Sequence, residues 1–247
     1  MLTSLVSNRF VLMSLLAWAG TSASALAQPA TAPAASTPVS AAALQAARVG
    51  DDQQFAVRLA EDRTHMVLFL NTPPQTGNGA FAKQRADAAS KPTLADAMNA
   101  FAMHHPEAVV NGTKSGVTMG KIPANHCAAP VLQQQIATWS YSGPFLDFET
   151  AFDRMIHHIE NVPEGNRIGF SPPADSPIRG LVTVTAQQES ALDVFLDALS
   201  QLDGVVVIFR EYTDKNGERR CIRETYARDA TTTTFIGFNR NPQLFRK

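Results

Sequence analysis

Much of what would mark an enzyme or a membrane protein is missing from this sequence. Beyond an apolar stretch near its start, no segment is long and apolar enough to span a bilayer. Basic and acidic residues nearly cancel, at 21 against 22. That leaves no positive excess to draw nucleic acid or anionic lipid. H-E-x-x-H and a spaced Cys/His cluster are both absent, and with them the usual zinc signatures. No serine sits in a G-x-S-x-G elbow. "GNGAFAK" (77–83) lacks the spacing of a phosphate-cradling P-loop. On these grounds no catalytic residue and no cofactor is nominated. Only Cys127 and Cys221 carry thiols, too few for a disulfide-stapled miniature fold.

What is present begins with an export signal. Arg9, the only charge in residues 1–27, precedes the apolar run "FVLMSLLAWAG", and "SASALAQ" then places Ala25 and Ala27 as in an A-x-A cleavage site. Residues 1–27 therefore read as a signal peptide, cut before Gln28. Its removal leaves no integral membrane span and a chain exported to the periplasm or secreted. An oxidising compartment makes a Cys127–Cys221 disulfide the default expectation. Asn111 opens an N-G-T glycosylation sequon, which matters only in a host that glycosylates.

Residues 28–50, rich in Ala, Pro, Ser and Thr, bury too little to offset their ordering entropy and read as a disordered tether, with a frayed helix as the alternative for the Ala-rich end. In "QFAVRLA", Phe55, Val57 and Leu59 alternate as in a strand, and "MVLFL" (66–70) reads as a second. Three stripes with helical spacing follow. Leu94, Ala97, Met98, Phe101 and Ala102 form one, and Phe148, Ala151, Phe152, Met155, Ile156 and Ile159 the next. Ala191, Val194, Phe195, Ala198, Leu199 and Leu202 form the last. "RIGF" and "GLVTVTA" read as strands. "GVVVIFREYT" and "ERRCIRETYA" flank Asn216-Gly217, the preferred pair for a two-residue type I′ hairpin. That register sets Asp214 opposite Arg219 and Lys215 opposite Glu218. The expected class is α+β, with amphipathic helices packed on small antiparallel or mixed sheets and a C-terminal β-hairpin. Residues 51–142 form an N-terminal region and 143–247 a C-terminal module. The tail from Thr231 either docks on its own domain, the preferred reading, or offers a strand to a partner.

"FETAFDRMI", "RIGF", "RGLVTVT", "ESALDVFLDAL" and "GVVVIF" appear in an order that resembles the short N-terminal domain of secretins and TonB-dependent receptors. The likeness runs from about Leu146 to Arg223. It departs from that pattern in lacking a clear strand before the first helix, in a loop lengthened by "SPPADSP", and in having no barrel or pore after it. The resemblance implies an envelope protein-interaction module and carries over no catalytic residues.

Six histidines remain. The pairs His104-His105 and His157-His158 each close an apolar helical run, but neighbours on a helix point about 100° apart and make poor joint ligands. His105 takes the last slot of its stripe and reads as a core residue. A metal site assembled across the fold draws on His104 or His105, His126, and His157 or His158, and would serve a metal-assisted hydrolase. Asp153 and Glu160 read as a solvated helix face. Arg210, Arg219, Arg220 and Arg223 alternate with glutamates, which points to cross-strand pairing. The favoured reading is an exported, non-catalytic interaction or accessory module whose partner is another envelope or secreted protein. Its alternatives are the hydrolase and a small-ligand binding protein.

Overall fold

The computed structural model describes residues 36–75, 91–158, 178–228 and 230–235. The signal peptide, "GNGAFAK", "RIGF", Ile159 and Glu160 lie outside them. Among the described residues, no helix is long and apolar enough to cross a membrane.

The first two elements correct the sequence reading. From Ser40 the expected tether is a capped helix, α1 (Ala41–Val49). The Ser40 side chain accepts from Ala43 N, and Gly50 closes the helix at φ 67°. Ala43, Ala46 and Ala47 are buried. Their small side chains let α1 lie close against its neighbours, so burial depends on approach rather than side-chain size. A Cβ at Gly50 would fall 2.9 Å from the His104 ring, so glycine is required there for space as well as for φ. "QFAVRLA" belongs to α2 (Asp52–Glu61), not to a strand. Phe55, Ala56, Leu59 and Ala60 are its buried stripe and Val57 is only half-buried. The apparent alternation arose from leaving the alanines out of the pattern.

Expectation and structure agree more closely after that. "MVLFL" lies in β1 (His65–Leu70), and α3 (Leu94–Ala102) starts with a reciprocal Thr93–Asp96 capping box. β2 (Val110–Lys114), with Asn111 exposed, pairs antiparallel to β3 (Val117–Gly120). A single turn, α4 (Ala129–Leu132), leads to β4 (Gln135–Pro144) and then α5 (Phe145–His158). β5 (Leu181–Ser190) runs into α6 (Ala191–Ser200), whose N-cap is Ser190. β6 (Val205–Thr213), β7 (Arg219–Ala227) and β8 (Ala230–Phe235) finish the described chain.

The strands make two sheets. One is a six-stranded mixed sheet in the order β2-β3-β1-β6-β7-β8, and the other is the antiparallel ribbon β4-β5. β1 runs parallel to both β3 and β6, pairing His65 with Val205 through Leu70 with Arg210. Met66, Leu68, Leu70, Val206 and Ile208 face a core built with α1, α2 and α3. Val67, Phe69, Val205, Val207 and Phe209 face a second core built with α4, α5, α6 and the ribbon. Burial on both faces explains why these strands are continuous apolar runs rather than alternating ones. The division expected between 142 and 143 falls inside β4, and the large sheet takes strands from both regions.

The terminal hairpin forms in a different register from the one predicted. Thr213, not Asp214, lies opposite Arg219. Asp214 Oδ1 accepts from Asn216 N and Glu218 N, both at 2.9 Å. Gly217 adopts φ 78° and donates to Asp214 O. The Asp214 side chain thus organises a three-residue loop with a left-handed glycine, in preference to the two-residue I′ turn. The first residues of the tail dock on their own sheet as β8, beside β7.

Candidate functional site

The parallel strands β3, β1 and β6 all end at the same edge of the large sheet. The loops that leave β1 and β3 there bound a cleft of about 460 Å³, lined by Asn71, Asn125, His126, Glu211, Tyr212 and Arg219 among others. The carboxyl ends of parallel strands are where open α/β sheets commonly bind ligands. Beneath this cleft Cys127 and Cys221 are joined as a disulfide, with Cα atoms 6.2 Å apart, and this ties the loop after β3 to β7.

His126 is 2 % exposed, and its ring meets Phe69 edge-on with centroids 5.5 Å apart. Ala128 N donates to Nδ1 at 3.1 Å, so Nε2 carries the proton and donates to Leu70 O at 3.3 Å. Burial pushes the imidazole below its ordinary pKa, against the opposing pull of the Leu70 carbonyl and Glu211. Glu211 accepts from Cys127 N at 2.6 Å through Oε2 and pairs with Arg219 through Oε1. Arg219 also donates to Asn125 O at 3.4 Å.

The His126 shift sets a pH dependence. The unfolded chain takes up a proton below about pH 6.5 that the folded imidazole resists, so the unfolded state binds more protons as the pH falls. This contribution to stability is complete above pH 6.5 and is lost on acidification. His126→Asn keeps an acceptor for Ala128 N and cannot titrate. Urea melts at pH 7.5 and pH 5 should show the wild type losing more stability than H126N; equal losses would remove His126 as the cause.

On the opposite face lies a polar cluster centred on buried Arg210, Asp52 and His105. Arg210, at 0 % exposure, donates to Asp52 Oδ2 at 2.9 Å and to Glu224 Oε2 at 3.0 Å. The other Asp52 oxygen lies 2.5 Å from His105 Nε2, and the Thr72 hydroxyl is 3.1 Å from Nδ1. Carboxylate, imidazole and hydroxyl in a row is the order that activates a nucleophile. Here, however, Asp52 is shared with Arg210, and His105 is sealed at 0 % exposure against Phe101, with ring centroids 4.5 Å apart. Arg210 also donates to Thr72 O at 3.1 Å, and Glu107 accepts from Asn71 N at 3.2 Å. The cluster thereby fixes the loop after β1, and with it Asn71 at the cleft.

A second buried cluster joins α5 to β7. Arg223 reaches Asp153 Oδ1 at 3.0 Å and Glu149 Oε1 at 3.2 Å, and its guanidinium lies 5.4 Å from the centre of the Phe195 ring. Burial raises the Glu149 carboxyl above its usual range, with Arg223 opposing. Asp153 is 1 % exposed, which corrects its reading as a solvated residue.

His105 and His126 belong to opposite faces of the sheet and do not converge on one metal. The side chain of His157 lies outside the described residues. Burial of His105 was legible from its stripe. Its bond to Asp52 was not, because nothing local links residues 53 positions apart. For Arg210 and Arg223 there was a usable signal: each lies within a strand whose apolar neighbours point to both faces, where a charge needs a buried partner.

No family model, curated protein or solved structure matches this chain.

Proposed function

We propose that this is an exported, non-catalytic interaction module that takes a strand from another envelope or secreted protein on the open edge of β4. The observation that carries the reading is the asymmetry of the β4-β5 ribbon. Thr183 N donates to Gln201 Oε1, and Gln201 Nε2 donates to Thr183 O, both at 2.9 Å. The backbone groups of Thr183 therefore point away from β4, and a side-chain amide stands in for a neighbouring strand. Ser142 pairs with Thr183, Ser140 with Thr185 and Thr138 with Gln187. By the two-residue alternation of an antiparallel ladder, Thr138, Ser140 and Ser142 likewise direct N–H and C=O outward. On this side no described residue caps them.

Edges are commonly protected by lysine, proline or a bulge. β2 at the rim of the large sheet has both a bulge and Lys114, whereas the outward residues of β4 are small and uncharged. An added strand would gain main-chain hydrogen bonds there, with the hydroxyls reading its side chains. The Cys127–Cys221 link suits an oxidising compartment, and the resemblance of residues 146–223 to the secretin-type domain agrees with an envelope role.

Ser140→Pro tests the edge directly. It removes one outward N–H while leaving the donors that face β5 in place. Envelope proteins retained by the immobilised wild type should be lost with S140P, at an unchanged circular-dichroism spectrum. Retention of the same proteins by folded S140P would sink the proposal.

A further inference from the structure

The disulfide beneath the cleft conceals a complete set of metal-ligating groups. One atom each from His126, Cys127 and Glu211 lies within 4.8 Å of the others, the only such group of three or more among the described residues. Cys221 sits opposite Glu211 in the β6-β7 ladder and is bonded to Cys127, so its sulfur reaches the same point. In the oxidised protein this is no metal site, because both sulfurs are consumed by each other.

We infer that reduction of Cys127–Cys221 creates a site for a thiolate-favouring divalent cation of the zinc type, held by Cys127, Cys221, His126 and Glu211. Two sulfurs, one imidazole and one carboxylate form a donor set of the kind zinc takes in tetrahedral sites. Cys127 Sγ is 3.9 Å from His126 Nδ1, close to the roughly 3.5 Å between sulfur and nitrogen on one tetrahedral zinc. The imidazole is already oriented for the task. Nε2 donates to the Leu70 carbonyl, the outer contact by which metal-bound histidines are commonly fixed, and Nδ1 faces the sulfur. To ligate, Nδ1 gives up the Ala128 N–H, and Glu211 exchanges Arg219 for the cation. The Arg219 side chain, 52 % exposed, can swing toward solvent.

The redox step is a two-electron exchange. A dithiol reductant supplies two electrons and two protons, the S–S bond breaks to give two thiols, and the dithiol closes to its own disulfide. The cation then displaces the two thiol protons to solvent. The loop after β3 is tied to β7 in both end states, by a covalent bond when oxidised and by the metal when reduced and loaded.

Cobalt(II) reports on such a site through its thiolate charge-transfer band in the near ultraviolet and its visible tetrahedral bands. The full mature chain is reduced with excess dithiol, moved anaerobically into dithiol-free buffer and titrated with cobalt, then back-titrated with zinc. One equivalent should bind to the reduced protein and none to the oxidised. His126→Ala and Glu211→Gln should each weaken binding at least about tenfold, the order of loss seen when even an outer-shell partner of a metal is removed. The C127S/C221S double variant should show no charge-transfer band. If the reduced chain loses its fold, cobalt should restore the far-ultraviolet circular dichroism as it binds. Absence of the band in reduced wild type, folded or not, overturns the site, as does cobalt affinity indifferent to H126A.

Discussion

Arg210→Met will cost roughly 3–5 kcal/mol of folding stability, the range for removing one partner of a buried ion pair. The arginine is enclosed between Asp52 and Glu224 within β6, opposite Leu70 at the end of β1. Methionine fills much of the same volume, so the loss is not mainly one of packing. It comes from two carboxylates left without their cation in a site where water cannot replace it. Beside them the Tyr226 phenol is pushed up chiefly by burial and further by Glu224, with Arg210 opposing. Urea denaturation of R210M at pH 7 checks the figure. The comparison that isolates the cause is a triple variant, Asp52→Asn, Arg210→Met and Glu224→Gln, which should recover part of the loss by removing the stranded charges. A triple variant no more stable than R210M would mean that the hydrogen-bond network, not the unpaired charge, sets the cost.

Loss of the disulfide is the second large effect. Cys127 and Cys221 are 94 residues apart in sequence, and a link of that span typically contributes about 2–4 kcal/mol, most of it by restricting the unfolded chain. For a chain of this size, C127S/C221S should melt roughly 5–15 °C below wild type. Because the restriction acts on the unfolded state, the double variant should also expose more surface on unfolding and give a steeper urea dependence. A melting temperature within about 2 °C of the wild type would show that Glu211 and the packing of the Cys127 loop hold this edge unaided.

These two effects lie in parts of the molecule that were unequally legible. Cys127 and Cys221 could be paired on paper because there were only two thiols to pair. Arg210 could not be matched to Asp52, since 158 positions separate them and a buried charge carries no mark of which distant carboxylate it meets. Helices α3 and α6 were readable because bulky apolar side chains set their period and a capping residue marks each start. α1 and the buried side of α2 rely on alanine, whose weight in any hydropathy pattern is too small to reveal close approach. The open edge of β4 was invisible for another reason. Its exposure depends on the ribbon ending at β4, with β5 its only described neighbour, not on any property of "TWSYS" itself.

The central position of β1 also constrains when this protein can fold. Its first parallel neighbour, β3, is made soon after it, but β6 begins only at Val205. Until then the strand shared by both cores has one side unpaired. Pairings so distant along the chain form slowly and late. A nascent chain of this design can complete neither core until β6 has been synthesised, because Val205 and Val207 belong to one and Val206 and Ile208 to the other.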